Sequence, residues 1–341
     1  MSMSDQPQAI TAAMRAAFPE VDSSVTPFYN MMRYHLGWLD EQFAPSKANS
    51  GKLLRPLLVL LANRVFGGDD KQALPLAAGI QLLHDFSLIH DDIEDQSETR
   101  RGRRTVWHIW GLSQGINTGD GMFALAHRAI HGLSDVGVPP ERVLRILREF
   151  EETILRICEG QYLDIAAEGQ MDVPIPRYVQ MIRGKTAVLA AASTSLGARV
   201  ATDDEAQIAA MWQFGEALGL AFQMQDDLLD IWGDPGVTGK PFAADLVQRK
   251  MSLPVIHGLA HARADDRQSF EALYQQPELS ANDLETLMAI LERSESRTYV
   301  EQVAHAEYER AMQALDAVVP VLPAALDELR MLAQSLLGRV R

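Results

Sequence analysis

The segment 203–232 constrains what this chain can fold into more than any other. Met211, Leu218 and Phe222 recur at helical spacing, and their stripe runs on into Asp226 and Asp230 at steps of four. Gly233, Asp234 and Pro235 stop the run, and Thr202 with Glu205 has the spacing of a capping box at its start. A helix of about eight turns is expected. Residues 76–98 repeat the arrangement, because Ile80, His84, Ser87 and Leu88 share a face that continues into Asp91 and Asp95. Both helices are therefore expected to turn these carboxylates towards a core.

Strand-like alternation is nearly absent. Gly, Pro and Asp collect near 44–51, 67–75, 133–140, 168–176, 233–245, 276–283 and 318–323, which divides the chain into roughly eight to eleven helices. No domain-sized linker separates them. The expectation is one all-α domain over 1–341, a helical bundle around a deep apolar cavity, with 1–8 flexible and 233–250 acting as a flap.

Composition removes several classes of function. The chain has 46 acidic and 31 basic residues, a formal charge of −15, so it is not expected to bind nucleic acid through a basic surface. The longest uncharged stretch, Thr105 to Gly119, is too short for a membrane span, and residues 1–8 lack the basic and apolar blocks of a secretion signal. A cytoplasmic protein is expected. One cysteine, Cys158, excludes an intramolecular disulfide framework and multi-cysteine metal sites, and reads as a buried apolar residue.

The chemistry resides in two D-D-x-x-D motifs, Asp91, Asp92 and Asp95, then Asp226, Asp227 and Asp230. Inward carboxylates without counter-charge would be neutralised by desolvation and mutual repulsion, so cations must accompany them. Ligation by oxygen alone selects a hard ion, and Mg²⁺ fits through carboxylates, water and phosphate oxygens. Basic residues gather in the same regions: Lys52 and Arg55 in Gly-Lys-Leu-Leu-Arg-Pro, Arg100, Arg101, Arg103 and Arg104 after the first motif, and Lys185, Lys240 and Lys250 singly. Arg103 and Arg104 read better as neighbours of a solvated acidic face. The others suit a diphosphate with an apolar tail, clamped beside metal ions.

In this order the motifs resemble those of the trans-isoprenyl diphosphate synthase, or polyprenyl synthetase, family from about residue 50 to 255. Gly51 to Pro56 matches G-K-x-x-R-P, Asp91 to Gly102 the first Asp-rich motif with its double arginine, and Gly160 to Asp164 G-Q-x-x-D. Lys185-Thr186-Ala187 matches K-T-A, Phe222 to Asp230 the second Asp-rich motif, and Gly239-Lys240 with Asp245 and Lys250 the last element. Arg104 stands where the family usually has proline and Trp107 near a common histidine; neither is a metal ligand.

The resemblance implies an isoprenoid-synthase fold and a set of roles. Asp91, Asp95 and Asp226 would hold three Mg²⁺ on the allylic diphosphate, supported by Asp92, Asp227 and Asp230. Arg100, Lys185 and Lys240, with Lys250, would bind that diphosphate. Lys52, Arg55, His84 and Arg101 would take the diphosphate of isopentenyl diphosphate. Thr186 and Gln223 would place oxygens near a developing carbocation, and Gln161 and Asp164 would orient the surroundings. The allylic partner would be dimethylallyl, geranyl or farnesyl diphosphate, the reaction a head-to-tail (1′-4) condensation, and the assembly a homodimer.

In that family bulky residues four or five positions before the first aspartate block the tunnel for the growing chain. Here these are Ser87 and Phe86. The small Ser87 favours a C20 product, geranylgeranyl diphosphate, with C15 farnesyl diphosphate as the alternative. A terpene cyclase would not need the full Lys52, Arg55 and Arg101 set, and a non-catalytic subunit would be expected to have lost aspartates.

Overall fold

The computed structural model describes residues 5–46, 48, 51, 53–234 and 242–337, and is all-helical apart from one short hairpin. By its internal contacts the chain forms two compact units. The first comprises Met1–Phe150, Ser193–Ile208 and Pro320–Leu326, and the second Glu151–Ala192, Ala209–Val319 and Asp327–Arg341.

In the first unit lie α1 (Gln6–Ala16), α2 (Thr26–His35), α3 (Leu54–Val65) and α4 (Asp70–Glu94). After α4 come the strands Thr99–Arg100 and Arg103–Arg104, then α5 (Val106–Trp110) and α6 (Leu112–His131). Leu76, Ile80 and Leu82 on α4 and Leu58 and Leu60 on α3 are fully buried. Their removal from water is what holds α4 in the middle of this unit. α4 and α6 approach closely at Gly119, where an added Cβ would lie 2.2 Å from His90 Nε2. That contact holds α4 against α6 one residue before Asp91.

Four helices divide their residues between the units: α7 (Pro140–Ala167), α9 (Val188–Ala201), α10 (Glu205–Trp232) and α16 (Pro323–Leu337). The second unit adds α8 (Ile175–Ile182), a single π-helical turn over Arg183–Ala187 and α11 (Ala244–Val247). It continues with α12 (Leu253–His261), α13 (Ala264–Tyr274), α14 (Ala281–Arg293) and α15 (Ser296–Asp316). Tyr178, Ile182, Leu220, Met224, Leu228, Leu253 and Ile256 form one buried apolar cluster there.

Several local expectations are corrected. The described residues hold more helices than eight to eleven, because short breaks such as those at 262–263 and 294–295 lack the Gly and Pro clusters used to place boundaries. α4 starts at Asp70 and takes Pro75 into its interior, with Asp69 as cap accepting from Lys71 N at 3.0 Å. The cap of α10 is Asp204, whose Oδ1 accepts from Ala206 N and Gln207 N at 3.0 and 3.2 Å, while Glu205 pairs with Arg199. Cys158 is exposed, since its face of α7 is an outer one. Of the proposed flap over 233–250, residues 235–241 lie outside the described residues. Among the described residues no helix is long and apolar enough to cross a membrane.

Candidate active site

In the first unit, the double arginine forms the turn of a hairpin pairing Thr99 with Arg104 and Arg100 with Arg103. Arg101 and Gly102 adopt φ values of 54° and 73°, as a two-residue hairpin turn requires. Arg100 and Arg101 consequently serve different places. Arg100 Nε donates to Asp92 Oδ1 at 2.6 Å and its Nη2 to Asp91 Oδ2 at 3.0 Å. Arg101 instead lies over the backbone of Gly51, where a Cβ would meet its Nη2 at 2.9 Å.

Burial separates the three aspartates. Asp92 is the buried one, at 2% exposure, whereas Asp91 is partly exposed and Asp95 exposed. The expectation that Asp91 and Asp95 point inward is thus corrected: the core-facing side of α4 here is that of Asp92 and Asp85. Burial pushes the Asp92 carboxyl up, against the pull of Arg100. Asp92 and Asp91 in turn raise the pKa of Arg100 despite burial.

Arg55 and His84 meet as expected, with Nη1 3.3 Å from Nε2. Burial, with help from Arg55 and Arg101, holds the His84 pKa well below its ordinary value, so the ring is neutral and Nε2 accepts. Burial also lowers Arg55 to about 10, with Asp85 acting in the opposite direction. Arg103 donates to Tyr34 O and Leu39 O at 2.9 and 2.8 Å and covers the Tyr34 ring, while Arg104 pairs with Glu41. Both are structural. Phe86 packs on His90 and Phe123 with centroids 4.9 and 5.1 Å away, and the Ser87 hydroxyl donates to His84 O at 2.8 Å.

In the second unit, the π turn presents Lys185 and Thr186, and two glycines let neighbouring helices close on it. A Cβ on Gly160 would lie 2.2 Å from Lys185 N, and one on Gly219 2.6 Å from Ala187 Cα. One helical turn beyond each glycine stands the partner of a site residue. Asp164 receives Lys185 Nζ at 2.5 Å, and Gln223 Oε1 receives Thr186 Oγ1 at 3.0 Å. π turns of this kind recur at functional sites.

Gln223 passes the network on, donating through Nε2 to Asp227 Oδ1 at 3.0 Å. Asp227 also accepts from Leu253 N at 2.9 Å and from the Tyr178 hydroxyl. Here too the second aspartate is the buried one, at 5%, while Asp226 and Asp230 are half-buried. The apolar residues around Tyr178 and Leu253 explain the reversal of the expected facing. Burial pushes Asp227 up to about 6, although Tyr178, Leu253 N and Gln223 all favour its ionised form. Asp245, 4% exposed, is pushed up to about 7 by burial and by Asp227 and Asp230. Lys250 is exposed, and Lys52 and Lys240 lie outside the described residues.

The donor set of the two motifs is carboxylate oxygen throughout, which fits a hard divalent cation. Among the described residues no three His, Cys, Asp or Glu side chains gather closely enough to hold an ion. Sequence reasoning missed Tyr178, Gly219, Asp85 and His35. Tyr178 and Gly219 offer no motif; Asp85 adjoins His84 but falls off the helical stripe of Ile80, His84, Ser87 and Leu88.

Residues 37–291 match the family model for polyprenyl synthetase. A geranylgeranyl diphosphate synthase from Mycobacterium tuberculosis is 41% identical over 300 residues, 87% of this chain and 84% of that protein. A (2E,6E)-farnesyl diphosphate synthase from the same species is 40% identical over 260 residues, 76% and 70% of the two chains. The crystal structure of a polyprenyl synthetase from Streptomyces coelicolor superposes with a TM-score of 0.90 at 33% identity, covering 98% of each chain. That of a Corynebacterium glutamicum geranylgeranyl pyrophosphate synthase, complexed with isoprenyl diphosphate and magnesium, gives 0.85 at 25%, covering 99% and 100%. The chain belongs to the polyprenyl synthetase family, and is a prenyltransferase that makes short-chain trans-prenyl diphosphates.

Proposed function

We propose that this enzyme joins isopentenyl diphosphate head-to-tail to an allylic diphosphate and releases mainly geranylgeranyl diphosphate. The observation that carries the product assignment is the pair Phe86 and Ser87. Phe86 is packed sideways against His90 and Phe123, and the small Ser87 turns its hydroxyl back to its own helix. A small side chain at Ser87, one helical turn before Asp91, is compatible with a longer chain growing past it. The similarity to a geranylgeranyl synthase over most of both chains supports the same product. Farnesyl diphosphate is the second reading, supported by relatives of that activity at the same identity.

Arg55, His84 and Arg101 bind the diphosphate of isopentenyl diphosphate, together with Lys52. Arg100, Lys185, Lys240 and Lys250 bind the allylic diphosphate. Arg100 spends one N–H on each of two aspartates, and its guanidinium has further donors to offer phosphate. Asp91, Asp95 and Asp226, with help from Asp92, Asp227 and Asp230, would hold three Mg²⁺, whose chemistry when bound would be to neutralise charge on the leaving diphosphate. Thr186 and Gln223 direct oxygens at the positive charge that develops at C1. The double bond of isopentenyl diphosphate attacks that carbon, and the departed diphosphate takes the proton from C2.

A homodimer is part of the proposal. Leu155, Tyr162 and Ile165 on α7 are 64%, 70% and 45% exposed and follow each other at seven and three residues, the spacing of a helix–helix seam. Sedimentation at micromolar concentration is expected to show a dimer, and monomer alone would refute it. Product chromatography from dimethylallyl and from farnesyl diphosphate tests the length assignment: C20 is expected from both, and termination at C15 from dimethylallyl diphosphate overturns it.

A further inference from the structure

The π turn that carries Lys185 and Thr186 is held by one stripe of α10, and Glu216 on that stripe has no part in the roles above. Asp227 takes the Tyr178 hydroxyl, Gln223 takes the Thr186 hydroxyl, and Gly219 lets Ala187 close on the helix. Positions 216, 219, 223 and 227 follow one another at three and four residues and so share a face. Glu216 reaches the first residue of the turn. Its Oε1 lies 3.6 Å from Arg183 Nε, a contact of charge rather than a hydrogen bond. Its Oε2 accepts from Arg310 Nη2 of α15 at 3.3 Å, and the same Nη2 lies 3.0 Å from Glu307 Oε2.

A π turn closes a wider ring than an α-helix does, and a helix adopts it only where its surroundings require it. Arg183 sits where this ring is closed, because its carbonyl accepts from Val188 N. A shift of Arg183 therefore shifts the segment that carries Lys185 and Thr186. With Oε2 of Glu216 taken by Arg310, Oε1 is left facing Arg183, and the carboxylate is held from both ends. The Glu216 side chain is 23% exposed and that of Arg183 46%, and ion pairs so placed add little to overall stability. Position is another matter. A displacement of about 1 Å in a group facing the reacting carbon costs far more in rate than such a pair contributes to stability.

We infer that Glu216 is a positioning residue for the condensation: held by Arg310, its carboxylate fixes Arg183 at the head of the π turn and thereby sets where the Thr186 hydroxyl and the Lys185 ammonium stand. The inference rests on the reading of Thr186 and Lys185 as facing C1 and the allylic diphosphate. A carboxylate serving solubility alone would alter neither the rate nor the local stability of the turn when replaced by an amide. One acting through Arg183 has to lose its effect once Arg183 is gone.

The test is a double-mutant cycle of Glu216→Gln, Arg183→Gln and the two combined, assayed with isopentenyl diphosphate, farnesyl diphosphate and Mg²⁺. Each single replacement is expected to lower kcat about threefold or more, with the KM for isopentenyl diphosphate within about twofold. The double variant should be no slower than the slower single one. Wild-type kcat in Glu216→Gln overturns the inference, as do losses that multiply in the double variant or loss of the folded circular-dichroism spectrum in Glu216→Gln. Hydrogen exchange gives a second reading that needs no turnover. Amides of residues 184–188 should exchange at least about threefold faster in Glu216→Gln than in wild type, with those of α12 unchanged, and equal rates overturn the inference. If the wild-type chain fails to condense the two substrates, the reading of the site fails, and exchange alone then decides whether Glu216 holds the turn.

Discussion

The Tyr178 hydroxyl donates to the Asp227 carboxylate from a helix that carries no acidic motif of its own. Burial and the nearby Asp227, Asp245 and Asp164 charges raise the Tyr178 pKa well above its ordinary value, so the phenol remains a donor. Tyr178→Phe removes one of the contacts that favour the ionised form of Asp227. Its carboxyl should then titrate still higher than about 6. The acid limb of the kcat profile is expected to move up by about one pH unit, and turnover at pH 7 to fall about twofold. A pH–rate profile that overlays wild type would show the bond to be unimportant.

Asp245 and Asp227 also set a pH dependence of stability. Their folded values, about 7 and about 6, lie above the ordinary 3.8. Between those limits the folded chain keeps protons that the unfolded chain has lost, so stability falls as pH rises from about 4 to about 7. Asp245→Asn removes the larger of the two penalties. Its melting temperature should exceed that of wild type at pH 8, by a stability gain of about 2–4 kcal/mol, with the gap closing near pH 4. A gap independent of pH would contradict this origin.

Gly160 holds the π turn in place by having no side chain. Gly160→Ala would set a methyl group 2.2 Å from Lys185 N, and backbone cannot yield as a flexible side chain does. A loss of about 1–3 kcal/mol in thermal unfolding is expected. Displacement of Lys185 from Asp164 should lower kcat at least about tenfold. Wild-type stability and turnover together would mean that the turn tolerates the shift.

Phe86→Ala is expected to lengthen the dominant product by at least one C5 unit, read by chromatography of the hydrolysed prenyl alcohols. Phe86 precedes Ser87 and packs on Phe123, so its removal widens the space beside both. An unchanged product distribution removes Phe86 as a determinant of length.

Much of this was legible in the sequence, for identifiable reasons. The stripes through Ile80 and Leu218 gave the helices because apolar spacing records burial directly. Arg55 with His84, and Lys185 with Asp164 and Thr186 with Gln223, meet as motif residues should. Facing was misread at the aspartates: a stripe projected along α4 or α10 does not register that Arg100 or Tyr178 creates a polar pocket inside the core for the second acid of each pair. The hairpin at 99–104 was missed because its strands are too short to show alternation, although Arg101-Gly102 is a turn signal. The π turn has no sequence period at all; it exists because Gly160 and Gly219 leave room for it.

The central claim is that both Asp-rich motifs serve one condensation, and a single assay examines it. Incorporation of radiolabelled isopentenyl diphosphate into extractable prenyl diphosphate is measured with Mg²⁺ and farnesyl diphosphate, for wild type, Asp91→Ala and Asp226→Ala. Wild type should be active and each folded variant slower by about three or more powers of ten, because each loses an interaction made chiefly in the transition state. An inactive wild type, or either variant retaining more than about a tenth of the rate, would contradict it.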